Sequence, residues 1–544
     1  MNTANCGIAG CLAIASIIMS GGCDTKPEAA KIPSFAETFA GISCSDKLSV
    51  VDKATVDALR AFTDKRIAEI RATPNMAIPA GAACRYISGK NGNDSADGMS
   101  PATAWKTSKP LAAAKLAPGS FVLFERGCLY RNPSGIQISK GVTYTAYGSG
   151  AKPVLCTSPE DGANAAKWEK TDVPGVWAYQ IGNRDVGSIV FNHGEAHAIK
   201  IMPIYNEDGS YSQTFGALDF NISTNSFNNG YRDLIGDLHF WHDYSDKTRF
   251  KPLGKGTGKL YLKSEKNPGE RFKSIEFLTR SNCFTGSSPD VTIDNLCIKY
   301  VGAHGVGTGT TTNLTVRNCE FGWIGGSIQM ENMNGRKSAT RFGNAVEIYG
   351  GCQNFLVENC YIYQVYDAGI TQQYGIPQSN GAQIRDQNNM RYLNNVIENC
   401  NYSIEYFLSH RAVPENPSRM NGFLIEGNLM WNSGAGFCEQ RQDHSAAAHI
   451  KSWCNLCNRA TNYAIRNNLM AFGAEMLMEV SSGLKNPDGS DSMPKVENNL
   501  FIGKQGQRFG VLNQGKPEAL KYDDALPSVI EKFGAGNKFT GMQN

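Results

Sequence analysis

Three carboxylates in the middle of the chain have the residue types and the spacing that hydrolysis of a glycosidic bond requires. Glu347, Asp367 and Glu405 each lie within or beside a short apolar segment. In such hydrolysis one carboxyl protonates the leaving oxygen, while a second activates water or attacks the sugar. Carboxyl pairs about 6.5–9.5 Å apart serve inverting enzymes, and pairs about 5 Å apart serve retaining ones. The three residues therefore predict a catalytic site, provided that the fold brings them together.

Alternation of apolar and polar residues indicates how a fold could align them. Side chains point to opposite faces along a strand, and six segments offer an inward apolar residue: Val306, Val346, Ile370, Ile404, Phe437 and Leu477. The residues that follow them would form one outward file: Gly307, Glu347, Thr371, Glu405, Cys438 and Met478. This register places Glu347 and Glu405 two coils apart, roughly 9–10 Å, with Asp367 one coil from each. It also turns Glu439 and Glu479 inward, where a charge is costly without a partner.

The surroundings of these carboxylates suit a sugar. We expect substrate contacts from three residues on the same face, which offer an aromatic ring, a hydroxyl and an amide: Tyr349, Thr371 and Gln373. Arg385 and His410 follow strands and could bind an acidic sugar, or supply the neutralising charge and the base of a lyase. A Ca²⁺ site from Glu347, Asp367 and nearby carbonyls is chemically reasonable, but the spacing requires neither a metal nor another cofactor.

The elements that would carry these residues repeat along the chain. Seven segments share an apolar strand, a polar pair that usually contains Asn, and a second apolar strand: VTIDNLCI (291–298), LTVRNCEF (314–321), FLVENCYI (355–362), RYLNNVIE (391–398), FLIEGNLM (423–430), YAIRNNLM (463–470) and KVENNLFI (495–502). They recur at intervals of 24 to 41 residues, which are too irregular for leucine-rich or hexapeptide solenoids. The pattern predicts an all-β chain, a right-handed parallel β-helix (solenoid) with about three strands per coil, whose stacked Asn side chains bond to one another.

Composition excludes several function classes. Lys plus Arg (53) nearly balance Asp plus Glu (50), so the net charge of +3 gives no electrostatic case for binding nucleic acid. Hydrophobic residues at 41% and charged residues at 19% are typical of a globular chain, neither disordered nor a membrane bundle. We expect a monomer whose partner is a polysaccharide substrate.

The N-terminal residues predict export. Residues 6–19 form an apolar run of signal-peptide length, too short to span a bilayer. The following SGGC (20–23) resembles a bacterial lipoprotein cleavage site. We therefore expect residues 1–23 to be a signal peptide and the protein to be periplasmic, on the cell surface or extracellular. Membrane contact would come only through a lipid anchor at Cys23, and an ordinary secretory signal cut nearby is the alternative.

The rest of the chain divides into three predicted regions. Residues 24–82 indicate a linker and an amphipathic helix, which we expect to pack against one end of the main domain. Residues 83–505 are predicted to form the β-helix. Residues 506–544 are predicted to be a C-terminal cap, with a short helix near 526–533, because an open coil exposes an aggregation-prone edge.

Four further segments have counterparts in known proteins: RYISGKNGNDSADGMSPATAWKT (85–107), LAPGSFVLFERGCLYR (116–131), YTAYGSGAKPVL (144–155) and RFGNAVEIYGGCQNFLVENCYIYQVYDAGITQQ (341–373). They resemble exported bacterial proteins of the pectate-lyase-like right-handed β-helix superfamily, over roughly residues 83–505. The resemblance implies the fold. It leaves the reaction open, because the superfamily holds polysaccharide lyases, glycoside hydrolases, esterases, epimerases and non-enzymatic adhesins.

Departures from the superfamily's best-known members narrow the expectation. The polygalacturonase residue set is missing, since Asp523-Asp524 lies near the C-terminus and Ala303-His304-Gly305 matches the Gly-His-Gly motif only in part. The pectate-lyase calcium and arginine motif is missing as well, which disfavours pectin as the substrate. We favour a glycoside hydrolase that uses Glu347, Asp367 and Glu405. The alternatives are a polysaccharide lyase acting on a uronate-containing polymer and a non-enzymatic glycan-binding surface protein.

Overall fold

Stacked coils of parallel strands form most of the molecule. The computed structural model describes residues 49–205, 211–215, 230–244, 256–331, 339–373, 386–407, 417–441, 447–453, 458–482, 484–504, 508–514, 519–521 and 534–542. Within these residues strands of successive coils pair in parallel. The chain is a right-handed parallel β-helix, and the predicted all-β fold class is confirmed.

Each coil contributes strands to three walls. The first wall has ten strands: Cys84–Ile87, Phe121–Glu125, Thr143–Tyr147, Thr292–Asp294, Thr311–Arg317, Cys352–Glu358, Gln387–Leu393, Ser418–Glu426, Asn458–Arg466 and Lys495–Glu497. The second wall contains Leu129–Arg131, Val154–Cys156, Cys297–Val301, Glu320–Ile324, Tyr361–Gln373, Val396–Phe407, Leu429–Trp431, Leu469–Ala471, Leu500–Lys504 and Lys538–Met542. The third wall contains Ile136–Gln137, Phe284–Thr285, Val306–Thr308, Val346–Tyr349, the later parts of Tyr361–Gln373 and Val396–Phe407, Ala448–Trp453, Met476–Ser482 and Arg508–Gln514.

Inward apolar side chains of the third wall stack from coil to coil. Val306, Val346, Ile370, Ile404 and Ile450 are aligned by strand pairing and are fully buried. Burying each such side chain contributes about 1.5–3 kcal/mol. A slip by one residue would turn the whole stack toward solvent. The stack therefore fixes which residues of this wall face outward.

Asparagines, all buried except the last, form the ladder that the sequence predicts. Asn395, Asn428, Asn468, Asn499 and Asn537 lie in successive coils, and each side-chain amide donates to Oδ1 of the next at 2.9, 3.0, 2.9 and 3.1 Å. The backbone N–H groups of the first four donate to the same oxygens. The predicted stacking is confirmed, and it extends to residue 537.

The residue before each ladder asparagine makes the corner between two walls. Asn394, Asn467 and Asn498 have positive φ angles of 55°, 57° and 54°, and glycines take the same place at 427 and 536. Asn and Gly adopt this left-handed conformation at the lowest cost. The corner therefore needs a fixed pair of residues, while the loops elsewhere in the coil vary in length. This explains a constant motif at irregular intervals.

The N-terminal helix, Lys53–Arg71, lies along the second wall. Arg71 donates to Glu320 at 3.0 Å, and Arg60 donates to Glu398, two coils further on, at 2.6 Å. The expectation that the helix packs against one end is wrong, because its buried face crosses several coils. The strand before it, Ser49–Val50, pairs instead with the last coil of the second wall.

An antiparallel lobe, which the sequence analysis did not predict, is inserted between Cys156 and Phe284. Its strands are Trp168–Lys170, Val176–Gln180, Val186–Phe191, Ala196–His197, Ile199–Lys200, Met202–Tyr205, Tyr211–Phe215, His239–Asp243, Lys259–Lys263 and Ile275–Thr279, with a short helix at Pro268–Arg271. Five strands form one sheet, and its own core includes Trp168, Tyr179 and Phe240. The lobe lies within the range predicted as continuous β-helix. The seven segments that carry the Asn corner motif all lie after residue 290, so the repeat gave no indication of the lobe.

Parallel coils continue past the predicted boundary at residue 505. Arg508–Gln514 pairs with Met476–Ser482, and Lys538–Met542 pairs with Leu500–Lys504. The region 506–544, predicted as a cap, therefore carries strands of two walls. The predicted signal peptide and the short helix near 526–533 lie outside the described residues. Of the helices that the structure does describe, none is long and apolar enough to cross a membrane.

Candidate active site

One file of outward side chains on the third wall carries the candidate site. Strand pairing sets Gly307 beside Glu347, Glu347 beside Thr371, and Thr371 beside Glu405. The predicted alignment of these four residues is confirmed. Two strand spacings separate the glutamates, which corresponds to about 9.6 Å between their Cα atoms.

The file continues through Lys451 and Glu479, so the prediction of Cys438 and Met478 at these positions is wrong. Residues 436–440 form a single 3₁₀ turn, because the flanking glycines at 434 and 436 have positive φ angles of 82°. The strand Ala448–Trp453 takes their place in the wall. Lys451 pairs in register with Glu405 on one side and with Glu479 on the other.

The two glutamates that were predicted to point inward both avoid the interior. Met478 pairs with Ile450 and is fully buried, so the predicted register of residues 476–480 was displaced by one residue. Glu479 faces outward and accepts a hydrogen bond from Lys451 Nζ. Glu439 is exposed on the 3₁₀ turn, where it accepts from the Gly436 N–H at 2.8 Å. Both outcomes agree with the cost of burying an unpaired charge.

Glu347 lies in a polar environment formed at the ends of strands. Its Oε2 is 3.0 Å from His304 Nδ1 and accepts from Asn344 Nδ2. Asn344 is itself held, since its Oδ1 accepts from the Ala368 N–H at 2.8 Å. The Glu347 side chain retains 10% of its exposure. The carboxyl is therefore fixed by neighbours but still borders solvent.

His304 connects Glu347 to two neighbouring segments. Its Nδ1 lies 3.0 Å from Glu347 Oε2 and 3.2 Å from the backbone nitrogen of Asn344. Its Nε2 lies 3.1 Å from Gln329 Oε1. The imidazole therefore fixes the position of the Glu347 carboxyl and is within hydrogen-bond distance of it.

Glu405 has neighbours that suit an ionised carboxylate. Its Oε2 accepts from Gln373 Nε2 at 2.8 Å and from Thr371 Oγ1 at 3.3 Å. Lys451 occupies the adjacent position of the file. Two donors and a nearby ammonium stabilise negative charge. The file thus holds two carboxyls two coils apart, one beside an imidazole and one beside two donors and a lysine.

Asp367 lies outside this file. The strand pairing shifts between Val365 and Ala368, and Asp367, within this bulge, lies 2.6 Å from Arg441 Nη1. The two side chains are 3% and 6% exposed, so the ion pair is buried. The guanidinium also lies over the ring of Tyr402. The structure brings two of the three predicted catalytic carboxylates into one file and places the third against a cation.

Three of the predicted substrate-binding residues border the carboxylates. Tyr349 pairs in register with Gln373, and both belong to a second outward file two residues further along the strands. Tyr349 is 41% exposed, unusually high for a large side chain in this protein. Thr371 and Gln373 both donate to Glu405. The other two predicted residues, Arg385 and His410, lie outside the described residues.

Sequence reasoning missed most of the side chains that hold the carboxylates. Lys451 could have been found, because AHIKSW (448–453) alternates apolar and polar residues like the other strands of this wall. Asn344 and Arg441 carry no such pattern, since both belong to connecting segments. His304 stood out only as part of an incomplete motif. These residues become visible only when the coils are stacked.

The described residues do not fit the Ca²⁺ site that the sequence allowed. Glu347 accepts from the amide of Asn344, and Asp367 faces the guanidinium of Arg441. Calcium prefers six to eight oxygen ligands, whereas these neighbours are hydrogen-bond donors. In the described parts of the chain, no group of three or more His, Cys, Asp or Glu side chains could hold a metal ion.

Comparisons with known proteins find similar folds at low identity. No protein-family model matches the chain, and no curated protein matches it. A solved glycoside hydrolase has a TM-score of 0.48 at 10% identity, with 85% of this chain and 97% of that one covered. The complex of XylC with xylose has a TM-score of 0.43 at 12% identity, covering 84% and 75%. The family 28 exopolygalacturonase of Yersinia enterocolitica has a TM-score of 0.38 at 12% identity, covering 77% and 66%. Likenesses this distant carry no argument about the reaction, and the fold assignment rests on the strand pairing described above.

Proposed function

We propose that this chain is an exported glycoside hydrolase that cleaves a polysaccharide, with Glu347 as general acid and Glu405 as general base. The observation that carries the proposal is their shared outward file on the third wall, in which the two carboxyls have different neighbours. Glu347 lies against the imidazole of His304 and accepts from Asn344, while Glu405 accepts from Gln373 and Thr371 and has Lys451 at the adjacent position. Acid–base hydrolysis needs this division of roles.

The geometry supports a single displacement by water. Glu347 gives its proton to the glycosidic oxygen as the bond between that oxygen and the anomeric carbon breaks. Glu405 takes a proton from the water whose oxygen forms the new bond to the anomeric carbon. The file sets the two Cα atoms two strand spacings apart, about 9.6 Å, and this favours the wider carboxyl separation of inverting enzymes. We therefore expect a product of inverted anomeric configuration. A proton returned from Glu405 to Glu347 through solvent restores the starting state.

Asp367 has a supporting role in this proposal. Its carboxylate is buried against Arg441, and its N–H donates to the Gly343 carbonyl at 3.2 Å. Gly343 precedes Asn344, the residue that donates to Glu347. We assign Asp367 to holding the strand bulge in place, rather than to proton transfer.

The second outward file provides the binding surface. Tyr349 offers an exposed ring on which an apolar sugar face can stack. Gln373 offers a hydrogen-bonding amide beside Glu405, whereas Thr371 is fully buried in the first file and supports that carboxylate. The aromatic ring and the amide lie in adjacent coils, about 4.8 Å apart, so one sugar unit can touch both.

The hydrolase is favoured over the lyase by the charges near the file. β-Elimination needs a cation that neutralises the uronate carboxylate. Among the described residues around the file, Arg441 contacts Asp367 and Lys451 contacts Glu479. Each cation therefore already faces a protein carboxylate. A neutral polysaccharide is the substrate class that fits this site.

The test combines a substrate screen with two variants and one control. The purified protein is incubated with neutral and acidic polysaccharides, and new reducing ends are measured together with the ultraviolet absorbance of unsaturated products. Glu347→Gln and Glu405→Gln should each lower kcat about 10²–10⁴-fold, while the exposed Glu439→Gln should retain activity. Proton NMR of the fresh product should show the inverted anomer. Unsaturated products would identify a lyase, and full activity in either Gln variant would refute the assignment.

Export belongs to the same proposal and is supported by the apolar run at 6–19 and by Cys23. Expression in a bacterial host with labelled fatty acid should label the wild-type protein but not Cys23→Ser. Release of an unlabelled mature protein into the medium would indicate an ordinary secretory signal instead.

A further inference from the structure

Two strands of the lobe, Val186–Phe191 and Ile199–Lys200 with the residues that precede them, touch the two segments that hold the candidate site. The first is the hairpin of Ser327–Glu331 and Ala339–Phe342. Its residue Gln329 contacts His304, and the chain leaving it reaches Asn344 two residues later. The second is the 3₁₀ turn Gly436–Gln440, which leads directly to Arg441. The lobe therefore contacts two segments that lead to the candidate site, the hairpin to His304 and the turn to Arg441.

Asp185 connects the lobe to the hairpin. Its Oδ2 accepts from the backbone N–H of Ile328 at 2.7 Å, and its Oδ1 accepts from Lys200 Nζ at 2.5 Å. Both charged side chains are almost completely buried, at 1% and 2% exposure. Burial lowers the pKa of Lys200 to about 8, and the Asp185 carboxylate limits that fall. A buried charge pair adds little net stability, so its main effect at this junction is to fix the position of the Ile328 backbone.

Lys200 connects the same pair to the 3₁₀ turn. Its backbone N–H donates to Gln440 Oε1 at 3.1 Å, and Gln440 Nε2 donates back to the Ala198 carbonyl at 3.0 Å. The next residue after Gln440 is Arg441, the partner of Asp367. The lobe thus contacts both neighbouring segments, the hairpin through the Asp185 side chain and the turn through the backbone of Ala198 and Lys200.

The junction is also closely packed. A Cβ added at Gly187 would lie 2.4 Å from the Gly325 carbonyl oxygen. Arg341, on the second strand of the hairpin, donates to the Gly187 carbonyl at 3.0 Å and to the Gly326 carbonyl at 2.6 Å. The hairpin cannot move independently of the lobe while these contacts persist.

We propose that the lobe is a positioning element for the candidate acid, and that Asp185 is the positioning residue through which it holds the hairpin, His304 and Glu347. The proposal rests on the proposed hydrolase function. It gives the inserted lobe a role that the β-helix alone cannot fill. Loosening the hairpin would let Gln329 and His304 move away from Glu347, which would lower kcat more than substrate affinity.

Two double variants separate positioning from folding. Asp185→Ala with Lys200→Met removes both charges and the acceptor for the Ile328 N–H. Asp185→Asn with Lys200→Met also removes both charges but keeps an oxygen that can accept from Ile328. Both variants remove one charge of each sign and both remove the carboxylate that also interacts with the buried Arg341, so this effect is the same in the two and cancels when they are compared. The experiment measures kcat and KM on the polysaccharide found in the screen, and hydrogen exchange of residues 327–331, 339–342 and 436–441.

The Ala/Met variant should lose about 10-fold in kcat, with KM changed less than about twofold, and its hairpin amides should exchange faster. The Asn/Met variant should keep kcat and hairpin exchange near wild type, and the exchange of first-wall amides should be unchanged in both variants.

If the Ala/Met variant does not fold, Gly187→Ala provides the second perturbation of the same junction, with the same pattern expected. Unchanged hairpin exchange, or faster exchange throughout the β-helix, would overturn the positioning role. A wild-type protein without hydrolase activity would overturn the proposed function instead, while the exchange data would still decide whether Asp185 holds the hairpin.

Discussion

The buried ion pair between Asp367 and Arg441 gives a direct test of which carboxylates do chemistry. Its side chains are 3% and 6% exposed and 2.6 Å apart, so neither charge is well solvated. Arg441→Met removes the guanidinium and leaves a buried carboxylate without this cation, which costs about 3–5 kcal/mol. Asp367→Asn with Arg441→Met removes both charges and should be within about 1 kcal/mol of wild type, because a buried pair replaced by neutral groups is nearly neutral in stability.

The assay for stability is chemical denaturation followed by circular dichroism, and the control is an exposed pair with the same separation. Arg271 and Asp237 are also 2.6 Å apart, but their side chains are 23% and 53% exposed. Arg271→Met should therefore cost only about 0–1 kcal/mol. The difference between the two Arg→Met variants isolates the effect of burial on an ion pair.

Activity of the double variant decides the role of Asp367. If Asp367 only holds the bulge, the neutral double variant keeps kcat within about 10-fold of wild type, since the bulge is retained. If Asp367 transfers a proton, as the sequence analysis expected, the double variant is stable but loses about 10²–10⁴-fold in kcat. A stable and inactive double variant would therefore refute the reasoning that assigns catalysis to Glu347 and Glu405 alone.

Three further predictions concern the ladder, acid stability and substrate binding. Asn468→Ala removes the buried acceptor of the Asn428 backbone and side-chain amides, bonded at 2.9 and 3.0 Å, and should lower the free energy of unfolding by about 2–4 kcal/mol. The control is Asn421→Ala, whose exposed side chain accepts from Thr461 and Asn462 and whose loss should cost less than about 1 kcal/mol in the same denaturation assay. Burial lowers the pKa of His449 to about 3 and that of His242 to about 4. Below about pH 6.5 the unfolded chain therefore binds protons at these residues that the folded chain does not. The free energy of unfolding should fall as the pH falls from about 6.5 toward 4, by up to about 1.4 kcal/mol per pH unit for each group. Denaturation of His449→Gln at pH 7 and pH 5 should show a smaller loss than wild type, and an equal loss would count against the buried neutral imidazole. Tyr349→Ala should raise KM about 10-fold through lost stacking while kcat changes little, and an unchanged KM in steady-state kinetics would remove Tyr349 from the binding surface.

The fold could be read from the sequence because its determinants are local and repeated. The corner needs a residue with positive φ followed by a buried asparagine, and this pair stands in adjacent positions such as Asn394-Asn395 and Asn467-Asn468. An apolar residue next to it faces the interior with a period of two. The same local alternation aligned Glu347, Thr371 and Glu405 correctly. The alternation failed at 436–440, where positive-φ glycines accompany a turn in place of a strand. It also failed at 476–480, where two consecutive buried residues, Leu477 and Met478, leave the register ambiguous.

Only the tertiary structure decided which carboxylate has which neighbour. Asp367 and Arg441 are 74 positions apart, and Glu347 and His304 are 43 apart, with coils of unequal length between them. Contacts of this kind depend on how loops return to the wall, and loop length is the one quantity that the repeat leaves free. The lobe is the extreme case, since an insertion between two coils changes nothing in the pattern of the walls yet delivers Asp185 to the hairpin beside the site. The sequence by itself determined the coil, because the corner pair and the alternation of apolar residues recur in each coil as local patterns. Only the stacked coils determined the site, because the partners of each carboxylate come from connecting segments that share no such pattern.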